Sequence, residues 1–199
     1  MLKTKGERTR EAILDTAAAL ATQEGLATLS IGRLAEASGM SKSGLFAHFG
    51  SKEELQRQVL GAAAEKFGAI VVKPALTAPR GIPRIRAMFE GWLRWERDQS
   101  VPGGCVFTHA QAELDDKPGM VRDALADWQR QWKEMLSRAA SIAVEEGQFR
   151  RNVDTKQFAF QMFGIIFAYY HAKRLLDDPT AEAQARAAFE SLVEWASSN

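Results

Sequence analysis

Apolar residues recur at three- and four-residue intervals along most of this chain, and polar breaks between them mark out a series of helices. Ile13, Ala17, Leu20 and Ala21 predict an opening helix from near Arg8 to Glu24, ended by Gly25. Ser30 then caps a short helix that buries Ile31, Leu34 and Ala35, and Gly39 offers the positive φ of a tight helix exit. Ser41 caps a second short helix, in which Leu45 and Phe49 read as core. Ser51 with Glu54 forms a capping box and opens a fourth helix running through Leu60 toward Phe67. The stretch from Lys73 to Pro83, holding Pro74, Pro79, Gly81 and Pro83, predicts a break. Further helices are predicted over 84–97, from about Cys105 to Leu114, and from about Met120 to Glu146, with turns at Ser100–Gly104 and Asp115–Gly119. Asp154 with Gln157 opens another helix, to about Leu176, and the last begins at Asp178-Pro179, with Asp178 as cap and the proline in the first turn. No strand-like alternation and no internal repeat occurs, so the fold class is all-α.

The segment from Ser30 to Phe49 carries the most specific spacing. Ala35 lets two helices approach, Gly39 turns the chain, and Leu45 packs the second helix back on the first. That is the pattern of a helix-turn-helix, whose second helix enters the major groove of DNA with its first residues nearest the base edges. Lys42, Ser43 and Gly44 are therefore the candidates for base contact. Gly44 permits close approach, Ser43 can donate or accept, and Lys42 reaches a guanine edge or, the favoured reading, a phosphate. Lys52 stands in the first turn of a helix, where free amides favour an anion. Thr28, Ser30 and Ser41 are phosphate candidates that also serve as caps.

Composition limits how such a site can work. With 26 basic and 25 acidic side chains among 199 residues, the net charge is +1, so any affinity for DNA comes from local placement. Lys3, Lys5, Arg8 and Arg10, set against Glu7, read equally as a basic arm or a solvated terminus. A single cysteine, Cys105, excludes an internal disulfide framework and fits a reducing compartment, with the cytoplasm as the expected location. The most hydrophobic stretch, Phe158 to Tyr170, is interrupted by Gln161 and is too short to cross a bilayer, so a soluble protein with no membrane partner is expected. No motif calls for a cofactor or a metal, and no catalytic residue is assigned.

Four stretches together resemble the TetR/AcrR family of bacterial transcriptional regulators: Arg10-Glu11-Ala12-Ile13-Leu14-Asp15-Thr16-Ala17, Leu29 to Ala35, Gly39 to Phe49, and Ser51-Lys52-Glu53-Glu54-Leu55. The resemblance covers about residues 8 to 56. It implies a three-helix DNA-binding domain over 1–50 and a larger helical domain over 51–199 for ligand binding and dimerisation. It also places His48 and Lys52 on the DNA backbone. Where the family usually has tyrosine this chain has Phe46, which removes a phenolic hydrogen bond to phosphate. Phe46 then either presses on a thymine methyl or fills the domain core. The stretch from Gly104 to Ala124 is similar to a subgroup of the family, without indicating a ligand.

One short helix reads only a few base pairs, so a homodimer on a palindromic double-stranded operator is expected. The last two helices suit it. Ala185, Ala188, Phe189, Leu192, Val193 and Ala196 form one apolar stripe, and Phe158, Met162, Phe163, Ile166, Phe167 and Tyr170 cover more than one face of the helix before it. Gly164 and Ala168 would allow close approach of two helices. For a small-molecule effector, the candidate walls are Trp92 with Trp95, Trp128 with Trp132, Phe163, and Cys105, Phe107 and His109 on the short helix after the Gly-Gly break. Core packing is the ordinary role of such tryptophans. The expected function is a dimeric repressor that an apolar or aromatic effector releases from DNA. The competing reading is a helical enzyme or small-molecule-binding protein that uses Cys105 and His109, four residues apart, beside a vestigial DNA-binding domain.

Overall fold

The computed structural model describes residues 4–97 and 103–197. Within them the chain is helical apart from turns and one isolated antiparallel bridge between Phe149 and Ser197. The helices are α1 (Lys5–Glu24), α2 (Ile31–Ser38), α3 (Lys42–Phe49), α4 (Lys52–Phe67), α5 (Lys73–Thr77), α6 (Ile82–Arg97), α7 (Val106–Leu114), α8 (Met120–Glu145), α9 (Thr155–Arg174) and α10 (Ala181–Ala196). They gather into two compact units, Met1–Ala69 with Arg97–Trp128, and Ile70–Glu96 with Gln129–Asn199. Lys3 and the predicted turn residues Ser100, Val101 and Pro102 lie outside the described residues, as does the side chain of Lys5.

In the first unit, α1 begins ahead of the predicted start near Arg8. Thr4 accepts from the Glu7 amide, and the Glu7 carboxylate accepts from the Thr4 amide at 2.7 Å, a capping box that precedes the first apolar residue. Arg8 and Arg10 are consequently helical residues. The core joins Ile13, Leu14, Ala17 and Leu20 of α1 to Leu34 of α2, Leu45 and Phe49 of α3, and Leu55 and Val59 of α4, all buried. Ile31 is only half-buried. The capping box expected at α4 is half present. Ser51 accepts from the Glu54 amide at 3.0 Å, but the Ser51 amide goes to the Phe49 carbonyl. Glu54 turns instead to Arg57 and Gln58, whose hydrogen bonds hold its pKa down at about 2.

Inside this unit the buried Gln56 of α4 donates to the carbonyls of Leu26 (2.7 Å) and Leu29 (3.1 Å), which flank the 3-10 turn Leu26–Thr28. That turn links α1 to Ser30, the cap of α2, so a side chain of α4 fixes where the helix-turn-helix starts.

The second unit departs from the sequence reading at two helix starts. Pro74 does not break the chain: α4 runs through a π-helical turn, Gly68–Val72, into α5, where Pro74 occupies the first turn and its missing amide costs no hydrogen bond. The break comes later, around Ala78 to Gly81. Asp178 does not cap α10. Its carboxylate accepts from both the amide and the hydroxyl of Thr180, each at 2.7 Å, so it closes a local turn and the helix starts at Ala181. Phe89 of α6 stacks on Phe189 of α10 at 4.1 Å between centroids. Beside them Arg86 pairs with Glu190, and Arg186 with Glu90 and Glu182.

These contacts also reassign the stripe expected to form a dimer face. Ala185, Phe189, Leu192, Val193 and Ala196 are buried in their own chain, as are Phe158, Met162 and Ile166 of α9. Of the α10 stripe only Ala188 is exposed. The exposed positions of these helices include Phe160, Gly164 and Ala168 on α9 and Ala187, Ala188, Ser191 and Trp195 on α10.

Gln56→Leu removes both hydrogen bonds while keeping a similar volume, taking the donor from the Leu29 carbonyl and leaving the Leu26 carbonyl with the Leu29 amide alone. Urea unfolding should show a loss of about 2 kcal/mol, whereas Gln58→Leu, on the same helix but half-exposed, should stay within about 0.5 kcal/mol.

Candidate nucleic-acid interface

The helix-turn-helix forms because each short helix carries its own terminal signals. Ser30 accepts from the Arg33 amide at 3.2 Å, Gly39 closes α2 at φ 68, and Ser41 accepts from the Gly44 amide at 3.1 Å. Leu45 and Phe49 point into the core, at 0% and 3% exposure. That leaves Lys42, Ser43, Phe46, Ala47 and His48 on the outer face of α3. Phe46 is 58% exposed, which removes core filling as its role and leaves a large apolar ring on the surface. The ring of His48 lies 6.2 Å from that of Phe49.

Lys42 folds back over the start of α2. A carbon added at Gly32 would stand 3.7 Å from Lys42 Cε, 3.8 Å from its Nζ and 3.9 Å from Ser30 Oγ. The ammonium group therefore lies over the first turn of α2, against Gly32. The ammonium and the helix amino terminus thus place two positive contributions on the same turn. Ser30 spends its oxygen on an amide and keeps its proton available to donate. Thr28 differs, since its hydroxyl donates to the carbonyls of Glu24 (3.0 Å) and Gly25 (2.8 Å), closing the end of α1.

Other cations nearby are already committed. Arg33 grips Glu24 with Nε at 2.8 Å and with Nη2, and this hydrogen-bonded pair raises the pKa of Arg33 and lowers that of Glu24. Arg57 is held by Glu54. Among the described residues, Lys42 on α3 and Lys52 at the start of α4 are exposed and enter no ion pair. The sequence reading did not foresee that Arg33 is occupied, because Glu24 lies nine positions earlier on another helix.

The residues predicted to line an effector site divide between the units. Cys105, Phe107, His109 and Trp128 belong to the first, and Trp92, Trp95, Trp132 and Phe163 to the second. Phe107 stacks on Trp128 at 3.5 Å, with the Phe67 ring edge-on to Trp128 at 5.1 Å. Trp92 meets Tyr169 edge-on at 5.7 Å, and Phe163 lies 4.8 Å from Phe167. Trp92, Trp95, Cys105, Phe107 and Trp132 are buried. A cavity of about 430 Å³ in the first unit opens between α1 and α4, with Arg10, Asp15, Glu65 and Lys66 in its wall and none of those eight residues. Among the described residues no group of three or more histidine, cysteine or carboxylate side chains could hold a metal, and no helix is long and apolar enough to cross a membrane.

Comparison with known proteins gives this geometry a context. Residues 13–59 match the family described as bacterial regulatory proteins, tetR family, and residues 81–189 match the tetracyclin repressor-like C-terminal domain. The AcrR transcriptional regulator of Shigella flexneri is 29% identical over 68 residues, a match that spans about a third of this chain (34%) and of that regulator (32%). A TetR transcriptional regulator from Chloroflexus aurantiacus is 25% identical, with a TM-score of 0.83 and coverage of 96% of this chain and 95% of its own. AibR, solved with isovaleryl coenzyme A and operator DNA, is 27% identical, with a TM-score of 0.69 and coverage of 89% and 96%. With matches spanning both its amino-terminal helix-turn-helix and more than half of its length in the carboxy-terminal helices, this chain belongs to the TetR family of transcriptional regulators and is not an enzyme.

Proposed function

We propose that the protein is a dimeric repressor in which residues 1–50 read a palindromic operator and residues 51–199 bind an effector and a second copy of the chain. The observation that carries this reading is the outer face of α3, with Lys42 lying over the first turn of α2 against Gly32. Ser43 and Gly44 meet base edges, Phe46 meets a thymine methyl, and Lys42, Ser30, Ser41, His48 and Lys52 hold phosphates. Thr28 contributes by closing α1. Binding of genomic DNA places the working protein in the cytoplasm.

The effector is an apolar or aromatic small molecule, which acts by favouring a spacing of the two DNA-reading heads that no longer fits the operator. AibR has been solved with both isovaleryl coenzyme A and operator DNA, so short-chain acyl thioesters are the first compounds to screen. Selection of genomic fragments on the purified protein tests the core of the reading. An inverted repeat near a promoter is the expected result, and weak binding without sequence preference would overturn it.

On the selected operator, Lys52→Ala should weaken binding to every sequence alike and flatten the dependence of log affinity on log salt by about 0.9, one phosphate contact. Ser43→Ala should leave that slope unchanged and alter the preferred bases in a competition with operator variants. The outward faces of α9 and α10 form the dimer contact, with Gly164 at a close crossing. A Cβ added at Gly164 would meet no atom within 4 Å and the position is exposed, so Gly164→Glu should fold normally. Sedimentation equilibrium should then give 22.0 kDa for the variant and twice that for the parent.

A further inference from the structure

The 3-10 turn that precedes α2 is held from two directions. Gln56 of α4 takes its carbonyls, as described above, and Glu113 of α7 takes its amides: Oε2 accepts from Ala27 N at 2.7 Å and Oε1 from Leu26 N at 3.3 Å. Leu26, fully buried, is thus bonded on both sides of its own peptide framework, by its amide to α7 and by its carbonyl to α4. The carboxylate fits because residue 25 is glycine. A Cβ there would lie 3.0–3.2 Å from the Glu113 carboxyl atoms, and its φ of +98 is a conformation that side chains resist. The other end of α7 is set just as closely. Gly103, at φ +97, brings its backbone against Thr22 of α1, where any side chain would overlap the Thr22 carbonyl. Between these ends Phe107 is stacked on Trp128.

We propose that Glu113 is a positioning residue for DNA recognition: from α7, a helix distant in sequence, it holds the Leu26 and Ala27 amides and so sets where Ser30, α2 and α3 stand. A carboxylate is suited to this because both of its oxygens accept, and a charged acceptor strengthens each bond to an amide. The tie is also directional. If α7 slides or turns, the two amides follow or their bonds break, and either result moves the cap of the first helix of the helix-turn-helix. This inference rests on the operator-binding reading, and the parent protein, titrated with its selected operator alongside the variants, shows independently whether that reading stands.

Glu113→Gln keeps the size of the side chain but replaces one acceptor oxygen with an NH2 that faces a backbone amide. In the full-length protein, hydrogen exchange at Leu26 and Ala27 should become at least about tenfold faster, and operator affinity should fall by about tenfold. The salt slope should not change, because no phosphate contact is removed. Ile85→Val, in the core of the second unit but on α6 and outside the proposed dimer helices, supplies a control of lowered stability. Retained operator affinity in that control, with loss in Glu113→Gln, supports the positioning role. Equal losses in the two variants, or affinity within twofold of the parent for Glu113→Gln, would overturn it. Unchanged exchange at the two amides would do so whether or not DNA is bound.

Discussion

The helix-turn-helix depends on the short turn that precedes it, whose backbone groups are held by side chains reaching in from two other helices. The 3-10 turn Leu26–Thr28 carries amides and carbonyls that a buried position would leave unsatisfied, a cost of the order of 1–3 kcal/mol for each group. Gln56 supplies donors and Glu113 supplies acceptors. With both in place, Leu26 and Leu29 stay in the core at 0% and 1% exposure, and Ser30 emerges where it can cap α2. Everything that follows, from the Gly39 turn to the outward face of α3, inherits its position from there. The turn that precedes the recognition element is thus as constrained as the element itself.

Electrostatics around that element follow from which charges have partners. The chain as a whole is close to neutral, and several cations of the first unit are paired locally: Arg33 with Glu24, Arg57 with Glu54, Lys66 with Asp15. Such exposed pairs add little to stability. Their consequence lies elsewhere, because they neutralise Arg33 and Arg57 and leave Lys42 and Lys52 as exposed cations without an ion pair at the start of α3 and α4. A nearly neutral protein can in this way present a small positive surface whose place is set by side-chain pairing rather than by composition.

The second unit shows how the same residues can satisfy two different demands. The apolar stripe of α10 looks like an interface, yet Phe189 is used by Phe89 and, apart from Ala188, the rest of the stripe is buried within the chain. The helices keep a second, outward set of small and aromatic residues, from Phe160 and Gly164 to Trp195. A helix that is apolar around more than half of its circumference, as α9 is, has enough surface for a core on one side and a neighbour on the other. Its periodicity shows that the surface exists and does not say which side meets which partner.

Local signals in the sequence determined the helices and the family. Ser30, Gly39, Ser41 and Leu45 act within a few residues of themselves, through caps, a left-handed turn and one packed leucine, so the helix-turn-helix was legible without a structure. The helix starts expected near Arg8 and at Asp178 fall instead at Lys5 and Ala181, and the break expected from Lys73 to Pro83 narrows to residues 78–81, because Thr4 with Glu7 caps α1 early, a π-helical turn carries the chain to Pro74, and Asp178 closes a turn on Thr180. Tertiary structure alone decided the exposure of Phe46, the pairing of Arg33, the inward turn of the α10 stripe and the reach of Glu113 to Leu26 and Ala27. Each of these is a contact between residues far apart along the chain or a choice between two faces of one helix. Sequence spacing fixes the period of a helix, while its rotation against its neighbours is set by packing and by the hydrogen bonds that packing permits.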